Sequence, residues 1–161
     1  MTTLNLTSGL QDVAPALAAI PAGRWIMCSR HEAKLGGVVV KSVFVAADVP
    51  PLIGVTAWKG HGIEPIVRDS RAFSVNLVEQ EDRTLLKKFA GHLSDHADQF
   101  DATPHDRLVS TAPALKKARL SIDCEVVRHF DIEADHELYI GLVLAARLDG
   151  VVAVRPRDLK K

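Results

Sequence analysis

The chain has 161 residues, of which 47% are apolar and 25% are charged, and twenty lysines and arginines balance twenty aspartates and glutamates. This length suits one domain with a sizeable core, so we expect a single domain over residues 1–161. A formal net charge of zero creates no basic field that would attract nucleic acid or an anionic membrane, so neither is an expected partner.

The termini and the cysteines predict where the protein resides. No apolar run approaches the length of a membrane-spanning helix, and the amino terminus lacks the pattern of a secretory leader. Cys28 and Cys124 lie in apolar segments and predict two buried thiols rather than a disulfide framework. These features together predict a cytoplasmic location.

The first predicted elements are a short helix and a strand. Ser8 is placed to cap a helix that carries Leu10, Val13 and Leu17 along one face. Residues 24–29 follow a proline and a glycine and predict the first strand.

Residues 37–52 form the most strand-like stretch of the chain. The stretch lies between a Gly-Gly pair and Pro50-Pro51 and contains the β-branched Val38, Val39, Val40, Val43 and Val45, which favours a packed core strand that runs into a turn and then restarts. Lys41 and Ser42 interrupt the apolar run. Their polar groups need partners in the protein or a ligand, or they point to solvent.

The remaining elements follow from apolar periodicity. Strands are predicted at residues 52–58, 72–78, 119–127 and 136–147, with Gly141 at a bulge or a close approach. Helices are predicted at residues 63–69 and 81–90, the second with Leu85, Leu86 and Phe89 on one face. About six strands without βαβ alternation predict an antiparallel barrel with attached helices, not a doubly wound sheet.

Several motifs occur in a fixed order along the chain. Ser42 precedes Pro50-Pro51-Leu52 by eight residues, and Asn76, which ends Phe73-Ser-Val-Asn, precedes Phe89-Ala90 by thirteen. Further matches are Asp98-Gln-Phe100, Pro113-Ala-Leu115, Cys124-Glu-Val126 and Asp135-His136 leading into Gly141. This ordered set, covering roughly residues 15–148, resembles the flavin reductase-like, FMN-binding split-barrel family.

The resemblance implies a mainly β fold with short helices, an antiparallel six-stranded split β-barrel of the flavin reductase type. It implies a homodimer that binds flavin near the subunit interface, with FMN as the expected flavin and FAD as the alternative. Many members of the family pass hydride from NADH or NADPH to flavin, some of them for a partner oxygenase. A protein that only binds flavin or another planar cofactor is the alternative function.

A flavin carries its own redox chemistry, so the protein needs only to bind, orient and tune it. Strand 37–42 can offer its main chain to the ring, and Lys59 with the glycine-rich loop Gly60-His-Gly62 can approach the phosphate. The candidate cofactor-binding residues are Val39, Val40, Lys41, Ser42, Ala57, Trp58, Lys59, Gly60, His61 and Phe89.

Several positions differ from the family pattern. The family often has a Ser and a Thr around the phosphate, where this chain has Gly60 or His61, and Ile63. It usually has a hydroxyl residue at Val39 and a small polar residue at Lys41. A lysine cation there would favour anionic reduced flavin or reach the phosphate; otherwise it faces solvent. Trp58 would lie against a ring, or serve core or interface packing.

His136 is the candidate catalytic residue on the nicotinamide side of the site, by the same resemblance. Hydride transfer needs no side-chain acid, so we expect His136 to position the dinucleotide rather than to transfer a proton. The alternative is a surface histidine paired with Asp135.

A polar segment offers a rival constellation of metal-ligand types, namely His92, Asp95, His96, Asp98 and His105. His92 and His96 are spaced as a helical metal pair would be, but no fixed third ligand accompanies them. We therefore expect a solvated loop and no metal.

Overall fold

The computed structural model describes residues 9–79, 81–91 and 99–155, with side chains from residue 13 onward. The predicted cap Ser8 lies outside the described residues. The helices are α1 (Gly9–Ala18), α2 (Ile63–Ser70) and α3 (Arg83–Phe89). The strands are β1 (Trp25–His31), β2 (Lys34–Val40), β3 (Val43–Ala47), β4 (Leu52–Trp58), β5 (Ala72–Leu77), β6 (His105–Asp106), β7 (Ala114–Leu115), β8 (Leu120–Asp131), β9 (His136–Leu148) and β10 (Val151–Val154).

The main sheet is antiparallel throughout, in the order β2-β1-β5-β8-β9-β4-β3, and β10 also pairs with β9. The mainly β fold with short helices is confirmed, and each of the six predicted strands is present. The sheet contains eight strands rather than six, because β3 and β10 join it. Its end strands β2 and β3 do not pair with each other in the described chain, so the barrel is split.

The valine-rich stretch divides at its polar pair. β2 ends at Val40, Lys41 and Ser42 form a bend, and β3 begins at Val43. Both polar side chains are exposed. Water can therefore hydrate them at the break between strands, and no buried partner is required.

The barrel interior packs around Phe73, Val55 and Tyr139, and α2 contributes Ile63 and Val67 to the same cluster. Gly141 lies where the strands approach closely, as predicted. A Cβ there would lie 2.6 Å from Cζ of Phe73 and 2.7 Å from Cβ of Cys124, so only glycine fits. Each large side chain buried in this way contributes about 1.5–3 kcal/mol to the free energy of unfolding.

Helix α3 holds β2 in place from outside the barrel. Asp82 caps the helix by accepting a hydrogen bond from the Leu85 amide, and Leu85, Leu86 and Phe89 are buried on one face as predicted. A Cβ on Gly37 would lie 2.5 Å from Cδ1 of Phe89. The glycine therefore lets β2 rest directly on this ring.

Both cysteines, Cys28 and Cys124, are buried and free, and burial raises the pKa of each thiol well above its usual value. None of the helices in the described part of the chain combines the length and apolar character needed to cross a bilayer.

Candidate functional site

The outer edge of β2 is open to a ligand. The Gly37 amide donates to Oε1 of Gln99, and the Gly37 carbonyl accepts from Nε2 of the same side chain, both at 3.3 Å. The amide and the carbonyl of Gly37 therefore point away from β1. Because main-chain directions repeat every second residue, the amide and carbonyl of Val39 point the same way. No described strand pairs with this edge, so Val39 can offer a donor and an acceptor to a planar ligand.

Trp58, the last residue of β4, and His136, the first residue of β9, form an aromatic pair in which Trp58 is exposed and His136 is half-buried. They are direct partners across these strands, and their ring centroids lie 4.3 Å apart at an angle of 34°. Nδ1 of His136 lies 2.8 Å from a carboxylate oxygen of Asp135, and the Lys59 amide donates to the Asp135 carbonyl. The structure thus brings Trp58, Lys59 and His136 together with Asp135; we call these four residues the rim.

Lys59 is held at the rim by an acid that the sequence analysis did not single out. Its Nζ donates to Oδ2 of Asp131 at 2.7 Å. This hydrogen bond raises the pKa of Lys59, and the same bond together with the Glu133 amide lowers the pKa of Asp131. The Lys59 ammonium group therefore stays charged, and its hydrogen bond to Asp131 fixes the direction of the side chain.

Lys41 lies within electrostatic reach of the rim. The pKa of Asp135 is lowered by its hydrogen bond with His136, and the positive charges of His136 and Lys41 add to this effect. The charges of Lys41 and Asp135 therefore interact, although 94 residues separate the two along the chain. Ser42, next to Lys41, is exposed in the same bend.

The glycine-rich loop after β4 is already hydrogen-bonded within the protein. Gly60 has a positive φ of 77° and its amide donates to Oε2 of Glu64 at 3.1 Å. The Glu64 carboxylate thus already accepts a hydrogen bond from one of the main-chain amides that were predicted to bind the phosphate.

His61 is only 2% exposed and ties this loop to the end of α3. Its Nδ1 accepts from the Ile63 amide, so Nε2 carries the proton and donates to the Gly91 carbonyl at 2.9 Å. The imidazole therefore has a structural role, and only the main-chain atoms of His61 can face a ligand.

Three other candidates lie in the core. The side chains of Val40, Ala57 and Phe89 are buried, and Val39 is partly buried against the cluster around Phe89. Within this chain, Val40 and Ala57 can reach a ligand only through main-chain atoms. Phe89 acts on the site by supporting Gly37 and hence the open edge.

Of the rival metal constellation, residues 92–98 lie outside the described residues. His105 is described, and its Nδ1 lies 2.9 Å from the Thr103 carbonyl. Within residues 9–79, 81–91 and 99–155, no three potential ligands are grouped as a metal site.

Comparison with known proteins identifies the family. The model of the family described as "Flavin reductase like domain" matches residues 17–155. The chain belongs to this family. The resemblance that the motifs suggested is confirmed over most of the chain.

Among the curated relatives of this flavin reductase-like protein is an "FMN reductase (NADH) RutF 2" of Rhizobium rhizogenes. It is 28% identical over 85% of this chain and 78% of its own length. The reductase component of a 4-nitrophenol monooxygenase of Rhodococcus opacus is 27% identical over 78% of this chain, and the match spans 65% of that relative.

Among solved structures, the NADH:FAD oxidoreductase SgcE6 of Streptomyces globisporus superposes with a TM-score of 0.77 at 18% identity. The alignment covers 98% of this chain and 99% of that one. At this identity the likeness shows the fold alone.

Proposed function

We propose that this member of the family is a flavin reductase, an NAD(P)H oxidoreductase that passes hydride from NADH or NADPH to FMN or FAD. The two curated relatives, an NADH-dependent FMN reductase and the reductase component of a monooxygenase, support this function. The structural observation that carries it is the open edge of β2 at Val39, with the exposed Lys41 in the bend that follows this strand.

In this proposal, the protein's own groups bind the flavin and orient it. The Val39 amide and carbonyl pair with the polar edge of the flavin ring, and Lys41 and Lys59 provide positive charge for the phosphate or for reduced flavin. Bound flavin supplies the chemistry by accepting hydride. Trp58 and Ser42 border the ring, and the loop Gly60-His-Gly62 lies beside it.

The Glu64 carboxylate at the Gly60 amide bears on how the phosphate is held. A phosphate at this loop would displace Glu64 or bind beside it with the help of Lys59. We therefore assign phosphate binding mainly to the two lysines and less to the loop amides.

His136 is assigned to the nicotinamide dinucleotide, which it positions as the family resemblance implies. Its contact with Trp58 and its hydrogen bond to Asp135 fix the ring in one orientation. An imidazole held this way can pair with a phosphate or the carboxamide of the dinucleotide.

Replacing His136 with Ala is expected to raise KM for NADH about fivefold, because one hydrogen bond to a polar or charged group of the dinucleotide is lost. The affinity for FMN should change less than about twofold. Steady-state kinetics with NADH varied at saturating FMN measure KM. The control is Arg107→Ala, since Arg107 is exposed and its side-chain hydrogen bond, to the Ser110 carbonyl, lies outside the rim, so KM should be unchanged. An unaltered KM in His136→Ala would remove His136 from the site.

The assembly is proposed to be a homodimer. Support comes from exposed apolar side chains on and near β3 and β10, including Val45 (72% exposed), Val49 (93%) and Val151 (72%). Apolar strand surfaces of this kind usually mark an interface. Sedimentation analysis would show a dimer; a monomer at micromolar concentration would refute this part.

Three further parts of the proposal rest on the sequence or on a relative. A single domain over residues 1–161 follows from length. A cytoplasmic location is proposed, and two buried free thiols support it because they agree with a reducing compartment. A partner oxygenase is supported by the Rhodococcus opacus relative, which is a monooxygenase reductase component.

The assay that tests the reductase is oxidation of NADH or NADPH by purified protein in air, with FMN or FAD added. Turnover with at least one pair is expected. If flavin binds but no pair turns over, the protein is the non-catalytic flavin-binding alternative. If flavin neither binds nor turns over, both functions fail.

A further inference from the structure

The hairpin that joins β8 to β9 carries two acids that hold the rim. Asp131, the last residue of β8, is hydrogen-bonded to Lys59, and Asp135, directly before β9, is hydrogen-bonded to His136. The Lys59 amide also donates to the Asp135 carbonyl. The positions of Lys59 and His136 therefore depend on how firmly residues 131–135 are held; we call this segment the hairpin tip.

A buried carboxylate lies at the base of the hairpin tip. Glu137 is 4% exposed, and it lies opposite Asp131 on β8 and opposite Ala57 on β4. Its Oε2 accepts a hydrogen bond from the Tyr139 hydroxyl at 3.2 Å and lies 3.2 Å from Nε2 of His129. The rings of His129 and Tyr139 stack with their centroids 4.6 Å apart at an angle of 13°. These three residues, Glu137, Tyr139 and His129, thus join the two strands directly before the tip; we call them the base cluster.

Stability alone does not explain an ionised group at this position. Strand alternation places the Glu137 side chain on the same face as Tyr139, which packs in the barrel interior, and on the opposite face from His136. Removing a carboxylate from water costs free energy, and well-packed apolar side chains in place of a buried ion pair often stabilise a protein as well or better. We therefore expect the Glu137 charge to act on a neighbouring group.

Charged groups from α2, β4 and β8 surround the base cluster. In the described chain they are Lys59 directly after β4, Asp131 on β8, and Glu64 and Arg68 on α2. The hydrogen bond to Asp131 raises the pKa of Lys59 most, and the negative charge of Glu137 adds to the rise. A positive charge on His129 in turn adds to the effects that lower the pKa of Asp131, of which the Lys59 hydrogen bond is the largest. The base cluster therefore favours the charged form of both partners in the Lys59–Asp131 pair.

We infer that Glu137 is a positioning residue for the rim. Together with His129 and Tyr139, it holds the hairpin tip from inside the barrel. Through Asp131 and Asp135 on that tip, it fixes where Lys59 and His136 lie. The inference rests on the proposed function and adds to it a buried residue that touches neither the flavin nor the dinucleotide.

The first test needs no turnover. Glu137→Gln keeps the size of the side chain and an oxygen that accepts from Tyr139, but it removes the charge. In the ligand-free protein, the pKa of Lys59, read from its side-chain NMR signals, is expected to be lower in this variant than in the unmodified protein. The matched control is Glu125→Gln, which changes an exposed carboxylate on β8 and should leave the Lys59 signals unchanged.

The second test measures whether Glu137 acts through His136. In Glu137→Gln, KM for NADH is expected to rise about threefold, with kcat within about twofold of the unmodified protein. In Glu137→Gln/His136→Ala, KM should equal that of His136→Ala, because a positioning residue has no effect once the group that it positions is gone. Independent contributions would instead multiply, to about 15-fold over the unmodified protein.

Tyr139→Phe is a second variant that carries the test if Glu137→Gln does not fold. It removes only the hydroxyl that donates to Glu137 and keeps the ring that stacks on His129. KM for NADH should rise about twofold in this variant, and only while His136 is present.

A lower pKa of Lys59 in Glu137→Gln, together with KM values that do not multiply, supports the inference. An unchanged pKa of Lys59 overturns it, and so does an unchanged KM or a KM that multiplies in the double variants. Because the NMR arm needs neither flavin nor NADH, a protein in which the pKa of Lys59 falls but no NADH is oxidised would refute the reductase and not the role of Glu137 in holding Lys59.

Discussion

Replacing Asn76 with Ala is expected to lower the free energy of unfolding by about 3–5 kcal/mol, because each buried partner left unsatisfied costs about 1–3 kcal/mol. The Asn76 side chain is fully buried. It donates to the Ile26 carbonyl and the Ser74 hydroxyl, and accepts from the Leu115 amide and the Ser121 hydroxyl, at 2.8–3.0 Å. Urea denaturation followed by circular dichroism measures the change.

Ser121→Ala is the matched control for this prediction. It removes one of the four hydrogen bonds and should cost only about 1 kcal/mol. If Asn76→Ala destabilised the protein no more than Ser121→Ala, the amide would not be the junction that joins β1, β5, β8 and the segment at Leu115.

Removing both lysines that face the proposed phosphate has the largest expected effect on binding. In Lys41→Ala/Lys59→Ala, the Kd of FMN is expected to rise about 30-fold at low salt, with the larger share from Lys41 since Lys59 is already paired with Asp131. The salt dependence of FMN binding should also weaken. Fluorescence titration of FMN at several salt concentrations measures both quantities.

Lys116→Ala/Lys117→Ala serves as the charge-matched control, because both side chains are exposed and lie away from the rim. The control should bind FMN as the unmodified protein does. An equal loss of FMN affinity in both double variants would mean that only the net charge of the protein matters. An unchanged FMN affinity in Lys41→Ala/Lys59→Ala would show that Lys41 does not bind the phosphate.

Local patterns were enough to predict much of the fold. The valine-rich run predicted β2 because side-chain branching and flanking turn residues act within a few positions of each other. The face of Leu85, Leu86 and Phe89 and the close approach at Gly141 were predicted for the same reason.

The hairpin that forms β10 carried a signal that the sequence analysis did not use. Asp149-Gly150 stands between two apolar runs, which is the usual sequence of a two-residue hairpin turn. Both residues have positive φ, at 49° and 82°, and Leu148 pairs with Val151 across the turn.

Other features of the site depend on contacts between distant segments. Nothing near Lys59 in the sequence predicts Asp131, which lies 72 residues away. The hydrogen bonds of Gln99 to Gly37 and of His61 to Gly91 likewise exist only once α3 has packed on β2. The sequence could therefore supply the candidate residues, but not which of them brace the site and which face a ligand.

The central claim is that flavin pairs with the open edge of β2. Amide hydrogen exchange at Val39, measured by NMR with and without FMN, tests this claim most directly. The account predicts that exchange at Val39 slows when FMN binds, whereas the Gly37 amide, already bonded to Gln99, changes little. Tight FMN binding with an unchanged Val39 amide would contradict the account.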